Sequence, residues 1–217
     1  MTAQRTAGLL AAISLGIAPG AMPAPHPRIP LWDAAAMEKA CGRTLANARK
    51  RVSSLERLPF SQAAARRVYK TWDGLLMLIE DTQGPAELLA SVSPDPATRS
   101  AAEACQLKLT VLNTELLQNE NIYARFQRTA PADPIDRKLR KDVIEAFEDT
   151  GVALPPEKRA RMKEILKRLE EVRQAFERNI RDNKTRLAFS AEEMKGLPAS
   201  YVEKARRDDT GSYLLGF

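Results

Sequence analysis

The chain of 217 residues is poor in histidine, cysteine and aromatic side chains. It contains one histidine, His26, and two cysteines, Cys41 and Cys105. This inventory is too small to build a histidine-based zinc site, a Ser-His-Asp triad or a Cys-His pair with a spare base. Aromatic residues make up only 6% of the chain. The abundance of Ala, Leu, Arg, Lys and Glu therefore favours helices over a β-sandwich.

The formal net charge is +6, from 34 basic and 28 acidic side chains. Acidic and basic residues alternate along the later part of the chain, and pairs such as Glu164 with Arg168 and Glu177 with Arg181 are four residues apart. This spacing is typical of solvated helix faces. Aromatic residues are not interleaved with the basic ones, as a base-stacking surface requires. The sequence therefore predicts no nucleic-acid partner.

The sequence also lacks a hydrophobic run long enough for an ordinary transmembrane helix. The uncharged stretch Ala7–Ala18 follows Arg5 and has about a dozen residues, which is typical of a signal peptide. We predict a signal peptide at residues 1–24 and a proline-rich linker at 25–31, which contains His26 as an exposed residue. The chain is then exported to a bacterial periplasm or secreted. The alternatives are that the amino-terminal segment is an uncleaved tail or an organelle presequence, or that the chain is cytoplasmic.

Residues 32–130 have helical periodicity and are predicted to form an amino-terminal helical domain. A first helix is expected from Trp32 to Leu58. A second begins after Ser61 and ends at Gly84-Pro85, and a third runs from Ala97 to Asn119. Their apolar residues recur every three or four positions. The fold class predicted for the whole chain is all-α, a bundle of long antiparallel helices with a strand-like carboxyl end.

Residues 131–217 are predicted to form a second helical segment. A fourth helix begins at Asp133-Pro134 and stops at Gly151. A fifth opens at Pro155-Pro156 and reaches Leu187, with an apolar stripe expected to join the core. A capping box at 190–193, a short helix at 201–206 and a strand at 212–217 follow. An unpartnered apolar strand is an unusual terminus, so we expect this segment to be incomplete at its carboxyl end.

Cys41 and Cys105 lie on the apolar faces of the first and third helices. Two interpretations remain open for them. They are either two buried thiols or a disulfide that joins the two helices. The disulfide requires an oxidising compartment and Cα atoms within about 7 Å of each other. Two cysteines without histidines nearby do not complete a tetrahedral zinc site.

Several segments, in order, resemble the thimet oligopeptidase and oligopeptidase A family of zinc metallopeptidases. These segments are Asn119–Tyr123, Phe147–Leu154, Arg161–Glu170, Phe176–Ile180 and Glu193–Pro198. The resemblance implies the amino-terminal helical region of that family, which forms one wall of a deep channel for short peptides. It also implies an opposite lobe with an H-E-x-x-H helix, in which two histidines one turn apart hold zinc and the glutamate polarises water.

No H-E-x-x-H motif occurs in this sequence. We therefore assign no catalytic, cofactor-binding or metal-binding residue, and expect zinc only in the missing catalytic lobe of a full-length relative. The leading hypothesis is a channel-wall part of a zinc metalloendopeptidase, a fragment that is inactive alone. The alternative is a stand-alone, non-catalytic helical module that binds peptides or a protein.

Overall fold

The computed structural model describes residues 30–61 and 65–216, so the predicted signal peptide, most of the predicted linker and His26 lie outside the described residues. Within those residues the chain forms seven helices and one small sheet, which confirms the mainly helical fold. The helices are α1 (Ala34–Glu56), α2 (Ala65–Val92), α3 (Pro96–Leu117), α4 (Glu120–Gln127), α5 (Pro134–Asp149), α6 (Pro156–Arg181) and α7 (Ala199–Lys204). The strands are β1 (Arg186–Phe189), β2 (Arg206–Arg207) and β3 (Tyr213–Gly216).

Helices α1, α2 and α3 pack into one bundle with alternating direction. The Thr44 and Thr82 hydroxyls lie 2.7 Å apart, and further along α1 the Arg51 guanidinium reaches the Gly74 carbonyl, so α1 and α2 are antiparallel. Cys41 contacts Cys105, and Glu56 accepts a hydrogen bond from Asn119, so α1 and α3 run in the same direction. Short connections therefore join antiparallel neighbours, as in other helical bundles.

An aromatic cluster closes one end of the core. Its members are Tyr69, Trp72, Tyr123, Phe126 and Phe147, and the ring centroids in contact are 5.3–6.4 Å apart. These residues come from α2, α4 and α5. The cluster therefore attaches the two shorter helices to the bundle by burying large apolar area.

Local sequence signals predicted both ends of α5 correctly. Asp133 accepts hydrogen bonds from the amides of Ile135 and Asp136, and Pro134 occupies the first turn of α5. Gly151 has a φ of 85°, a conformation that favours glycine after a helix. The predicted start and stop of this helix are confirmed.

Two predicted helix ends are wrong. Helix α2 continues through Gly84-Pro85 to Val92, because Ala86 and Leu89 are buried in the core and tertiary packing outweighs the cost of an internal proline. Helix α6 ends at Arg181, so Leu187 belongs to β1 and not to the long helix.

The carboxyl-terminal strands form an antiparallel sheet in the order β1-β3-β2. Strand β3 confirms the strand expected near the end of the chain. Strands β1 and β2 were not predicted, because β1 begins within the stretch assigned to the long helix and β2 has only two residues. Ser190 and Glu193 exchange the hydrogen bonds of the predicted capping box, although the residues after Ser190 form turns and not a helix.

Among the described residues, no helix is both long enough and apolar enough to cross a membrane.

Candidate functional site

The residues that the structure describes do not fit the zinc ion that the family resemblance implies. In ranges 30–61 and 65–216, no three His, Cys, Asp or Glu side chains group so that they could share a metal ion. Zinc in proteins takes three or four such ligands. We therefore derive no chemical step through zinc for this part of the chain.

The two cysteines are bonded to each other in the structure. Their Cα atoms lie 5.8 Å apart, and 64 positions separate them in sequence. Both side chains are almost fully buried, since Cys41 is 2% exposed and Cys105 is 1% exposed. The bond joins α1 to α3 inside the core. Its role is therefore structural and not that of an exposed redox pair.

The sequence contains two pairs of adjacent glutamates, Glu170-Glu171 and Glu192-Glu193, and contacts within the chain explain both pairs. Glu170 accepts hydrogen bonds from Arg173 and Gln174, and the Arg173 contact is the main reason why the pKa of Glu170 lies below its usual value. Glu193 accepts hydrogen bonds from the amide and hydroxyl of Ser190, which lower its pKa. Neither pair is an acid–base pair of the glycosidase type.

Helix α6 packs against α3 through polar and charged side chains. Gln174, its one buried residue among those described, donates to the Glu103 carbonyl at 2.9 Å. Arg178 and Arg181 pair with the Glu103 carboxylate at 2.8 and 3.1 Å, and Lys163 pairs with Glu115 at 2.5 Å. Because positions 174–181 meet 103 while 163 meets 115, α6 runs antiparallel to α3.

Five apolar residues of α6 point away from the bundle, whereas Met162 and Leu166 of the predicted stripe are partly buried. We call these five residues the α6 apolar seam: Ile165, Leu169, Val172, Phe176 and Ile180, whose exposed fractions are 47, 62, 48, 63 and 58%. Their spacing of four, three, four and four residues places them on one helix face. The prediction that the stripe joins the core is therefore wrong for these five residues.

The seam lies opposite the face that contacts α3. Gln174 is about 180° around the helix from the centre of the seam, because each residue advances by about 100°. Basic and acidic side chains border it, and Arg161, Glu164 and Arg168 form a groove with Ile165 and Leu169. A contiguous exposed apolar surface rimmed by polar residues marks an interaction site in soluble proteins.

Sequence reasoning missed the orientation of α6. Periodicity identified both faces, but periodicity does not show which face meets the bundle. The deciding contacts are ion pairs to Glu103 and Glu115, which lie 48 or more positions away in sequence. Nothing in the sequence links those residues to α6.

No protein-family model matches the chain. It is 25% identical over 177 residues to thimet-like oligopeptidase of Dictyostelium discoideum, which covers 76% of this chain and 26% of that protein. It is 28% identical over 163 residues to oligopeptidase A of Escherichia coli, covering 68% and 24%. It is 29% identical over 138 residues to saccharolysin of Saccharomyces cerevisiae, covering 58% and 19%.

The chain thus spans about a quarter or less of the length of these relatives. Two of these relatives are oligopeptidases by name, and the matches confirm the family resemblance of the sequence. The chain is a partial homologue of the thimet oligopeptidase and oligopeptidase A family.

Proposed function

We propose that the chain is the channel-wall part of a zinc metalloendopeptidase that cleaves short peptides, and that it is inactive without a catalytic lobe. One observation carries this proposal. A 26-residue helix turns its polar face to the bundle and its apolar seam outward, which is the arrangement expected of a helix between two bodies. We take the second body to be the catalytic lobe that the family resemblance implies, with zinc and the H-E-x-x-H helix, and the similarity to oligopeptidases supports this choice.

The chain itself would hold α6 in position and shape one wall of the channel. The bundle of α1, α2 and α3 fixes α6 through the ion pairs to Glu103 and Glu115. The seam would then seat the catalytic lobe, and the wall would exclude folded substrates from the channel. Zinc would be held by the other lobe and would polarise the attacking water there.

We also propose that the chain is exported to an oxidising compartment, the periplasm or the extracellular space. The disulfide between Cys41 and Cys105 supports this proposal, because disulfides persist in such compartments and are rare in the cytosol. Intact mass measured without reductant after expression in the periplasm would be 2 Da lower than after reduction, by the loss of two hydrogens on bond formation. Equal masses would contradict the disulfide and would remove this support for export.

The first test uses the purified chain. Zinc content and hydrolysis of a quenched fluorescent peptide are measured, and we expect neither bound zinc nor turnover. Stoichiometric zinc with turnover that a chelator abolishes would overturn the proposal.

The second test is a chimera in which residues 32–216 replace the homologous region of Escherichia coli oligopeptidase A. We expect it to hydrolyse the same peptide. Leu169→Asp in the seam should abolish hydrolysis by separating the lobes. The matched control, Ile135→Asp, changes a side chain that is 77% exposed on α5, and it should retain activity.

A folded, zinc-loaded chimera without activity would favour the alternative function, a stand-alone helical module that binds peptides or a protein. The same seam supports that function, because an apolar helix face fits a partner helix as well as a lobe. In that case Leu169→Asp would abolish binding of the partner and leave the fold of the chain unchanged.

A further inference from the structure

A cavity of about 540 Å³ lies beside the carboxyl-terminal sheet, and none of the residues of the α6 apolar seam lines it. Three basic side chains line it: Arg186 from β1, Arg206 from β2 and Lys204 from the end of α7. No acidic side chain lines it. Within the part of the chain that the structure describes, these three cations have no ion-pair partner.

The sheet register brings the two arginines to the same face. Arg186 is opposite Gly216, and Arg206 is opposite Leu214, two positions away on the central strand β3. Residues two apart on a strand share a face, so the arginines approach the middle strand from both sides. A Cβ at Gly216 would overlap the Arg186 guanidinium, which shows that this group lies over the glycine.

The neighbouring residue, Arg207, has a different environment from Arg206. It is opposite Tyr213 and therefore lies on the other face of the sheet. Its guanidinium is 4.1 Å from the centroid of the Tyr213 ring, and it donates to the Tyr213 hydroxyl. Arg207 thus has a partner on its own face, whereas Arg206 faces the cavity.

The cavity also adjoins an open strand edge. Strand β2 pairs only with Tyr213 and Leu214 of β3, because the chain before Arg206 turns into α7. Leu215 and Gly216 line the cavity, and no strand among the described residues lies beside them on the β2 side. An open edge offers amide and carbonyl groups to an added extended segment.

We propose that this cavity binds an extended acidic peptide. Its carboxylates would pair with Arg186, Lys204 and Arg206, since a guanidinium matches a carboxylate in a two-point contact. Its backbone would lie along the open edge of β3, and its apolar atoms would contact Leu214 and the Tyr201 ring. The volume suits a ligand of several residues better than a single ion. This proposal stands independently of the peptidase role, because it needs neither zinc nor hydrolysis.

The test is calorimetric titration of the full chain with a capped pentapeptide that contains two glutamates. A counterpart with two glutamines is the matched ligand control. We expect the glutamate peptide to bind at least about tenfold more tightly than the glutamine peptide, and its affinity to fall as sodium chloride is raised.

Arg206→Ala should weaken binding of the glutamate peptide by about tenfold or more. Arg207→Ala removes the same charge from the opposite face and should change the affinity less than about twofold. Lys204→Ala is a second cavity variant that leaves both strands intact, so it tests the site even where Arg206→Ala disturbs the sheet. Circular dichroism confirms that each variant is folded.

Three results would overturn the assignment. The glutamine peptide binds as tightly as the glutamate peptide; Arg207→Ala weakens binding as much as Arg206→Ala and Lys204→Ala; or inorganic phosphate binds more tightly than the glutamate peptide. The first result would exclude recognition of the peptide charge, the second would exclude the cavity as the binding site, and the third would exclude a peptide as the preferred ligand.

Discussion

Helices α2 and α6 have nearly the same length, 28 and 26 residues, and both carry an apolar stripe. The stripe of α2 is buried, with Val68, Trp72, Leu75 and Ile79 at most 2% exposed. The stripe of α6 is the exposed apolar seam. The comparison shows that amphipathicity defines two faces of a helix, and that the partners available decide which face turns inward. Helix α6 meets the side of α3 that carries Glu103 and Glu115, and there its basic and amide side chains make the contacts.

The largest expected effect is the difference between α2 and α6 in their response to the same Leu→Ala substitution. Leu75→Ala on α2 removes a side chain with 0% exposure and should lower the free energy of unfolding by about 3–5 kcal/mol. Leu169→Ala in the seam removes a side chain that is 62% exposed and should change it by less than about 0.5 kcal/mol. Urea denaturation of the isolated chain measures both. Equal losses would mean that the seam is buried in solution.

The second-largest expected effect on the free energy of unfolding comes from the disulfide, which joins two helices of the bundle. Replacing Cys41 and Cys105 together by alanine frees a loop of 64 residues in the unfolded chain. We expect the free energy of unfolding to fall by about 2–4 kcal/mol. Urea denaturation of the natural chain with and without reductant gives the same comparison. A double variant as stable as the natural chain under oxidising conditions would contradict a bonded pair.

A smaller effect is expected where α6 meets α3. Glu103→Gln removes the carboxylate that Arg178 and Arg181 share, and should cost about 1–2 kcal/mol at this contact. Hydrogen exchange should become faster in the carboxyl half of α6, while amides of α2 keep their protection. Glu164→Gln is the control, since its side chain lies at the border of the seam. Faster exchange throughout the bundle would show that α6 does not open separately.

The smallest effect is the response of α6 to acid. The pKa of Glu170 is lowered in the folded chain, mainly by its hydrogen bond from Arg173. A lowered folded pKa gives stability that is present above the unfolded pKa of about 4.3 and is lost as pH falls through the folded value. Protection of α6 should therefore weaken below about pH 4, and Glu170→Gln should reduce that dependence. An identical acid response in the variant would assign it to other carboxylates.

The sequence predicted elements well where the deciding residues are neighbours in the chain. The start of α5 depends on Asp133 and Pro134, and its end depends on Gly151, all within the local backbone. It failed where distant packing opposed the local signal. Pro85 interrupts the hydrogen bonds of α2, yet the buried side chains on both sides of it keep the helix continuous.

The candidate surfaces show the same limit. The family resemblance followed from ordered segments of the sequence, and comparison with oligopeptidases confirmed it. Neither the outward seam nor the basic cavity could be predicted. Arg186 and Arg206 are 20 positions apart, and only the register of both outer strands on β3 brings them to one face.

The amino-acid sequence by itself determined that this protein is mainly helical, where most helices begin and end, and which family it resembles, because these properties depend on local spacing and capping. Only the tertiary structure decided which face of α6 is covered and that Arg186, Lys204 and Arg206 line one cavity. Those outcomes depend on which distant side chains meet, and the free energy of such contacts has no counterpart in the order of neighbouring residues.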